Sequence, residues 1–292
     1  MNKKTSIHWL MNAGLIYAAA IWGSTFVIVK DTLHSVSPHI LVGYRFTLAA
    51  LGMLILCIFL KRNIFDRLGK GMLLGICLFL IYSPQTIGLA VTTASNSAFI
   101  TGLFVIFVPL FSLLLFRIRP GKQKMIAVVL ASAGLWLLTG GLHEVNAGDV
   151  MTLITAAAYG MHIILADRYM KSGCDPYVLT FQQFAVTAIM SIIIAVIVGA
   201  PFQINQKSIG VIIFLALLPT LSAFLIQMIV QTRENPVKVA ILFSLEPVFA
   251  AVFAWTIGNE HFIPIRALGG MVIVTAMIFA EVPLYRPIHK RG

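Results

Sequence analysis

The chain has 292 residues, of which 59% are hydrophobic and only 11% charged, and it carries a formal net charge of +11. Its mean hydropathy is +0.95. So few polar groups cannot cover a soluble globule of this size, which places the chain in lipid.

A helical span across a hydrocarbon core of about 30 Å takes roughly 20 apolar residues, because backbone groups left unpaired there are costly. In chain order, apolar runs predict spans at Gly14 to Val29, His39 to Leu60, Met72 to Val91, Ser97 to Phe116 and Met125 to Gly140. Five more follow at Val150 to Ala166, Val178 to Gly199, Ile209 to Val230, Val239 to Gly258 and Arg266 to Val282. The expected fold class is an all-α integral membrane protein of ten transmembrane helices. The joints carry charge and turn signals: Lys61-Arg62-Asn63, Arg117 to Lys124, Gly140-Gly141, Gly173 to Pro176, Pro201, and Arg233 to Pro236. The first run follows Lys3 and Lys4, exceeds a signal-peptide core and is read as a retained span.

The second half repeats the first. Pro38, Phe46 and Pro109 recur 138 residues later as Pro176, Phe184 and Pro247, and the Ala-rich segment ending in Gly23 recurs at Gly160. Five spans per copy is an odd number, so the second copy enters the membrane from the opposite side. That is the pattern of inverted five-helix repeats, expected at 1–141 and 142–292.

Basic residues set the expected orientation, since Lys and Arg collect on the cytoplasmic side. With the N-terminus inside, 17 of the 21 basic residues fall in inner segments, three in outer ones, and Arg45 within a span. Both termini are therefore expected in the cytoplasm, in a bacterial-type inner membrane. The charge is accounted for by short loops facing anionic lipid, with no nucleic-acid motif. Cys57, Cys77 and Cys174 show no metal or disulfide spacing. No phosphate loop, zinc helix or nucleophile elbow occurs, so no cofactor or metal is expected and any transport is not ATP-driven.

Several short motifs carry a resemblance. Trp22-Gly23-Ser24-Thr25-Phe26, Tyr44-Arg45-Phe46, Pro109-Leu110, Leu245-Glu246-Pro247-Val248 and Gly258-Asn259-Glu260, in this order and duplicated setting, resemble the EamA-type drug/metabolite transporters. The resemblance covers essentially the whole chain as two tandem repeats. It implies a ten-helix inverted-repeat bundle that moves small metabolites, often amino acids outward, through a central cavity, with the fifth and tenth spans peripheral. One departure is that Phe116-Arg117 stands where the first repeat of the family usually ends its fourth span with Gly-Glu.

Charges deep in a membrane cost about 3 kcal/mol unless they face water or a partner. Arg45 and Glu246 are the two clear cases. As a substrate site, Arg45 holds a carboxylate and Glu246 an ammonium group or a coupling proton; as structure, they lock helices together or satisfy backbone near Pro247. Polar stripes add candidates: Thr152, Thr155, Tyr159 and His162 on the sixth span, Tyr82 and Gln85 on the third, Gln227 on the eighth. Such groups bond neighbouring helices as readily as substrates. Trp22 and Tyr159 hold equivalent places in the two repeats and suit an apolar or aromatic substrate group, or plain packing. His162 is the second candidate for proton coupling. Pro84, Pro109, Pro219 and Pro247 each remove an internal hydrogen bond and bend their helices, which makes them candidate gate hinges or static shapers of the bundle. Gly71, Gly75, Gly269 and Gly270 permit close packing inside the bundle or in a homodimer, so monomer and dimer both remain open.

The leading function is secondary transport of a small polar metabolite, an amino acid or related compound first, by alternating access at a midplane cavity. A channel, a drug or nucleobase permease, and an intramembrane enzyme are the alternatives. The last lacks a Ser-His, Asp-Asp or metal constellation.

Overall fold

The computed structural model describes residues 3–139, 146–257 and 262–281. The Gly140-Gly141 joint, the 141/142 repeat boundary, Gly258-Asn259-Glu260 and the basic residues Arg286, Lys290 and Arg291 lie outside them. No strand occurs among the described residues. The helices are α1 (Lys3–Thr32), α2 (Pro38–Phe59), α3 (Leu68–Leu89), α4 (Ala94–Gly102), α5 (Phe104–Phe116), α6 (Lys122–Thr139) and α7 (Ala147–Lys171). There follow α8 (Pro176–Ile197), α9 (Gln206–Leu215), a π-helical segment (Ala216–Ser222), α10 (Ala223–Val230), α11 (Pro236–Phe243), α12 (Glu246–Thr256) and α13 (Pro264–Glu281).

Local chemistry sets the starts of these helices. Asn146 and Asp149 form a reciprocal capping box at α7, while Asp175, Asn205 and Asn235 accept amide hydrogens at α8, α9 and α11. Proline occupies the first turn of α2, α8 and α11, where its missing N–H costs nothing. Arg117, in the segment that departs from the family pattern, ends α5 with a left-handed φ of 55°.

Eight helical stretches are long and apolar enough to cross a membrane, among the described residues. Three are interrupted where the sequence predicts single spans. The fourth breaks at Leu103, between α4 and α5, and the ninth at Ser244-Leu245, between α11 and α12. The eighth widens into the π segment around Pro219, which cannot donate to an α-helical carbonyl. Helices α3 and α5 run on through Pro84 and Pro109. The fifth and tenth predicted spans correspond to α6 and α13, which are not among the eight and pack on each other. A Cβ on Gly134 would lie 2.8 Å from the Gly269 carbonyl oxygen, and Gln123 Nε2 donates to the Phe279 carbonyl. Gly71 and Gly75 face Gln182 and Val186 of α8, inside the bundle.

The connecting segments gather at two ends. At one, which we call the basic end, Arg62 pairs with Asp175 at 3.3 Å, Arg67 donates to the Ser172 carbonyl at 3.0 Å, and His8 reaches Glu234. At the other, Lys30 donates to the Thr92 carbonyl, Thr92 to Asp149, and Ser35 meets Ser208 at 3.2 Å.

The turn before α11 contains a pH-sensitive tie. Burial alone would raise the Glu234 carboxyl, but the bonds from His8 (2.9 Å) and Lys238 (3.1 Å) outweigh it and hold the group below its ordinary value. A carboxyl lowered by folding contributes stability above its unfolded pKa, and that contribution is lost as pH falls through the folded value. Glu234→Gln is therefore expected to lower the melting temperature at pH 7 by about 1–3 °C. The difference from the parent should close below about pH 4 in detergent-solubilised thermal melts. A gap that stays constant across this range would show that the tie contributes through shape alone.

Candidate functional site

The candidate residues converge on the middle of the bundle through an aromatic cluster. The Trp22 ring lies 4.8 Å from Phe243, 5.1 Å from Phe224 and 6.0 Å from Tyr159, centroid to centroid. Tyr159 packs on Phe104 at 4.6 Å, and Phe46 on Tyr82 at 4.9 Å. Phe224 also touches Tyr82, His162 and Phe184, which makes it the hub. Repeat-equivalent residues meet here: Phe46 and Phe184 are 5.6 Å apart, and Trp22 faces Tyr159.

Arg45 enters this cluster from α2 and is 4% exposed. Its Nε donates to Thr220 Oγ1, and its guanidinium lies 4.5 Å from the Tyr82 ring centre, a favourable cation–π distance. Thr220 in turn donates to the Leu215 carbonyl at 2.7 Å, and Trp22 Nε1 donates to the Pro219 carbonyl at 2.6 Å. The Leu215 and Pro219 carbonyls thus accept from the side chains of Thr220 and Trp22, and Arg45 is anchored through the same segment.

Glu246 opens α12 directly after the break at Ser244-Leu245 and is 4% exposed. Among the described residues no ion pair joins it to Arg45, and its Oε2 has no hydrogen-bond partner. Tyr82 lies within electrostatic reach of both Arg45 and Glu246, and Tyr159 within reach of Glu246. A buried guanidinium and a buried carboxyl group, joined by no ion pair among the described residues, thus both lie within electrostatic reach of one phenol.

Other polar atoms around the cluster also lack protein partners. His162 Nε2 donates to Gln183 Oε1 at 2.6 Å, but His162 Nδ1, Gln183 Nε2, Tyr159 Oη and Gln227 Oε1 are unpartnered and buried. Each such group costs about 1–3 kcal/mol when left unmatched, so their concentration here marks a place built to meet polar atoms. The stripe threonines Thr152 and Thr155, and Thr187 on α8, serve the bundle. Thr155 donates to the Ile81 carbonyl at 2.9 Å, Thr187 to the Gly75 carbonyl at 3.1 Å, and Thr152 to its own helix.

Of the eight predicted site residues, Trp22, Arg45, Tyr82, Tyr159 and His162 share the aromatic cluster directly. Glu246 lies within electrostatic reach of Tyr82 and Tyr159, and Gln227 lies one turn beyond Phe224. Gln85 stands apart, donating to Thr101 Oγ1 at 2.9 Å between α3 and α4. Pro219 and Pro247 adjoin the site through the π segment and Glu246, whereas Pro84 and Pro109 lie inside continuous helices. Phe104, Phe224 and Phe243 carried no signal in the sequence. Phe46 and Phe184 did, through the 138-residue repeat. Among the described residues no group of three or more His, Cys, Asp or Glu could hold a metal ion.

The model of the EamA-like transporter family matches residues 9–140 and again residues 146–281. The chain belongs to this family. A relative from Archaeoglobus fulgidus, an "uncharacterized transporter", is 34% identical over 268 residues, covering 92% of this chain and 84% of its own length. A "probable amino-acid metabolite efflux pump" of Escherichia coli is 23% identical over 90% of this chain and 91% of its own. One with the same description in Salmonella typhimurium is 24% identical over 91% and 93%. A solved crystal structure, 17% identical, superposes with a TM-score of 0.77 over 91% of this chain and 95% of that one, which shows a shared fold. EamA membership and the relatives' names point to a multi-pass membrane transporter for a small molecule and away from an enzyme.

Proposed function

We propose that this protein is a secondary exporter of amino acids or closely related zwitterions. The observation that carries the reading is the presence of two buried ionisable groups, Arg45 and Glu246, that no ion pair joins among the described residues and that both lie within electrostatic reach of Tyr82. Arg45 takes the substrate carboxylate, and Glu246 takes the ammonium group or a coupling proton. Trp22, Tyr159, Phe224 and Phe243 receive the side chain. Gln227 and His162 supply further hydrogen bonds. Outward direction is supported by the efflux descriptions of the Escherichia coli and Salmonella typhimurium relatives.

In this reading ten spans form two inverted repeats, 1–141 and 142–292, that rock about the shared site, with both termini in the cytoplasm. The meeting of Phe46 with Phe184 and of Trp22 with Tyr159 supports a pseudo-twofold axis through the cluster. The distribution of basic residues supports the orientation. The breaks beside Pro219 and Pro247 are the gate hinges that best adjoin the site, with Pro84 and Pro109 as the further candidates.

The test is counterflow in proteoliposomes. Vesicles preloaded with unlabelled amino acid are expected to accumulate the labelled compound transiently and saturably, and to return it unaltered. Flux without counterflow would identify a channel, altered product an enzyme, and counterflow confined to nucleobases or cationic drugs a different permease.

A further inference from the structure

We propose that the cavity at the basic end is a second, separate binding site for an anionic group, a carboxylate or a phosphate, on a molecule with an apolar part. The cavity measures about 810 Å³, within the usual range for small-molecule sites, and none of the eight predicted site residues lines it. Its wall draws cations from three places: Arg119 in the segment after α5, Lys124 in the first turn of α6, and Arg168 and Lys171 in the last turn of α7. Among the described residues the only carboxylate lining it, Asp167, is paired with Lys171 at 2.6 Å.

The geometry goes beyond the general enrichment of basic residues at this end. Arg62 is matched by Asp175, and Lys238 by Glu234, but neither Arg119 nor Arg168 pairs with a carboxylate among the described residues. The Arg168 guanidinium lies 4.7 Å from the Phe116 ring centre, which holds it at the wall. The first turn of α11, residues Asn235 to Val237, closes another side and adds the positive end of a helix dipole. Phe116, Ile118, Ile164 and Val237 give the cavity an apolar floor. Cations over low-dielectric walls focus the field into the space between them. Ile164 also belongs to the central core that holds Trp22 and Tyr159. A role as a loading vestibule rests on the transport reading; the anion preference does not, and is measured without transport.

The experiment uses the full chain with Cys57, Cys77 and Cys174 replaced by serine and Gly121→Cys as the reporter. Gly121 lines the cavity, and a Cβ there meets nothing within 4 Å. In phosphatidylcholine vesicles, the anionic sulfonatoethyl methanethiosulfonate is expected to label this thiol about tenfold faster than the cationic trimethylammonium reagent, after correction for reaction with a free thiol. Arg119→Gln and Arg168→Gln should each lower that ratio by about threefold, while Lys61→Gln, at the same end but outside the cavity, leaves it unchanged. Inorganic phosphate or phenylacetate should slow labelling and choline should not, which assigns the site to a soluble anion. Slowing by phosphatidylglycerol in the vesicles, without added anion, would assign the same site to a lipid headgroup. Equal rates for the two reagents, an Arg168→Gln effect no larger than that of Lys61→Gln, or protection by neither anion source would overturn the proposal.

Discussion

Replacing Arg45 with glutamine is expected to reduce zwitterion exchange per folded molecule by roughly 10- to 100-fold. A charge-assisted hydrogen bond contributes about 1.5–3 kcal/mol, and each 1.4 kcal/mol is a factor of ten. Arg45→Lys should recover little, because an ammonium group has neither the planar fork that grips a carboxylate nor the stacking over Tyr82 seen at 4.5 Å. Glu246→Gln is expected to lose a comparable factor, and any pH dependence of exchange that Glu246 carries should flatten with it. The loss must also be chemical in kind. Against an amino-acid amide, which has no carboxylate, Arg45→Gln and the parent should differ by less than about threefold. The competing role for both residues is to hold helices together, since Arg45 donates to Thr220 in the π segment. A purely structural role would lower yield and melting temperature while leaving exchange per folded molecule, and its preference for a free carboxylate, unchanged. That outcome would remove Arg45 from the substrate site.

Those two charges were legible in the sequence because burying them in lipid needs a reason. The surrounding site was legible only in part. The chain has 20 phenylalanines. In so apolar a context, Phe224 and Phe243 carry no mark that distinguishes the aromatic cluster from other core or lipid contact. Phe46 and Phe184 were visible through the repeat, which fixes equivalent places in the two halves. Gln85 illustrates the opposite case. Its helical spacing put it on the stripe with Tyr82, yet its amide links α3 to α4 through Thr101. Spacing gives the face of a helix, and the neighbour's identity decides what that face does.

The spans followed the same division. Apolar length predicted where helices cross, because lipid leaves the backbone no alternative. Interruptions depend on tertiary partners and were harder to read. Proline leaves α3 and α5 continuous through Pro84 and Pro109, whereas the fourth span breaks at Leu103, behind a single Gly102. At Pro219 the Leu215 carbonyl, which proline cannot serve, accepts from Thr220 Oγ1, and the Pro219 carbonyl also accepts from Trp22 Nε1, a donor supplied from α1. That donor cannot be located from the local sequence of the eighth span.

The largest expected effect on stability lies at the repeated glycines. A Cβ on Gly23 would stand 2.7 Å from the Glu246 carbonyl oxygen and 2.8 Å from the Ala250 backbone nitrogen. Backbone cannot swing aside, so α1 and α12 would have to separate. Its counterpart Gly160 faces α5, with a Cβ 2.7 Å from Phe107 Cβ and 3.3 Å from the nearest backbone atoms. Gly23→Ala is therefore expected to cost about 1–3 kcal/mol, seen as a fall of about 3–8 °C in the melting temperature, with Gly160→Ala milder. Gly23→Leu should yield no folded protein. Gly69→Ala serves as the control, since nothing lies within 4 Å of a Cβ there. The contact at Gly23 is with the backbone of Glu246 itself, so separating α1 from α12 moves that carboxylate relative to Arg45. Gly23→Ala should then weaken exchange beyond what its stability loss explains, while Gly160→Ala, which touches α5, should not. Equal losses of exchange at matched stability would mean that the spacing between Arg45 and Glu246 is not what the glycine at α1 protects.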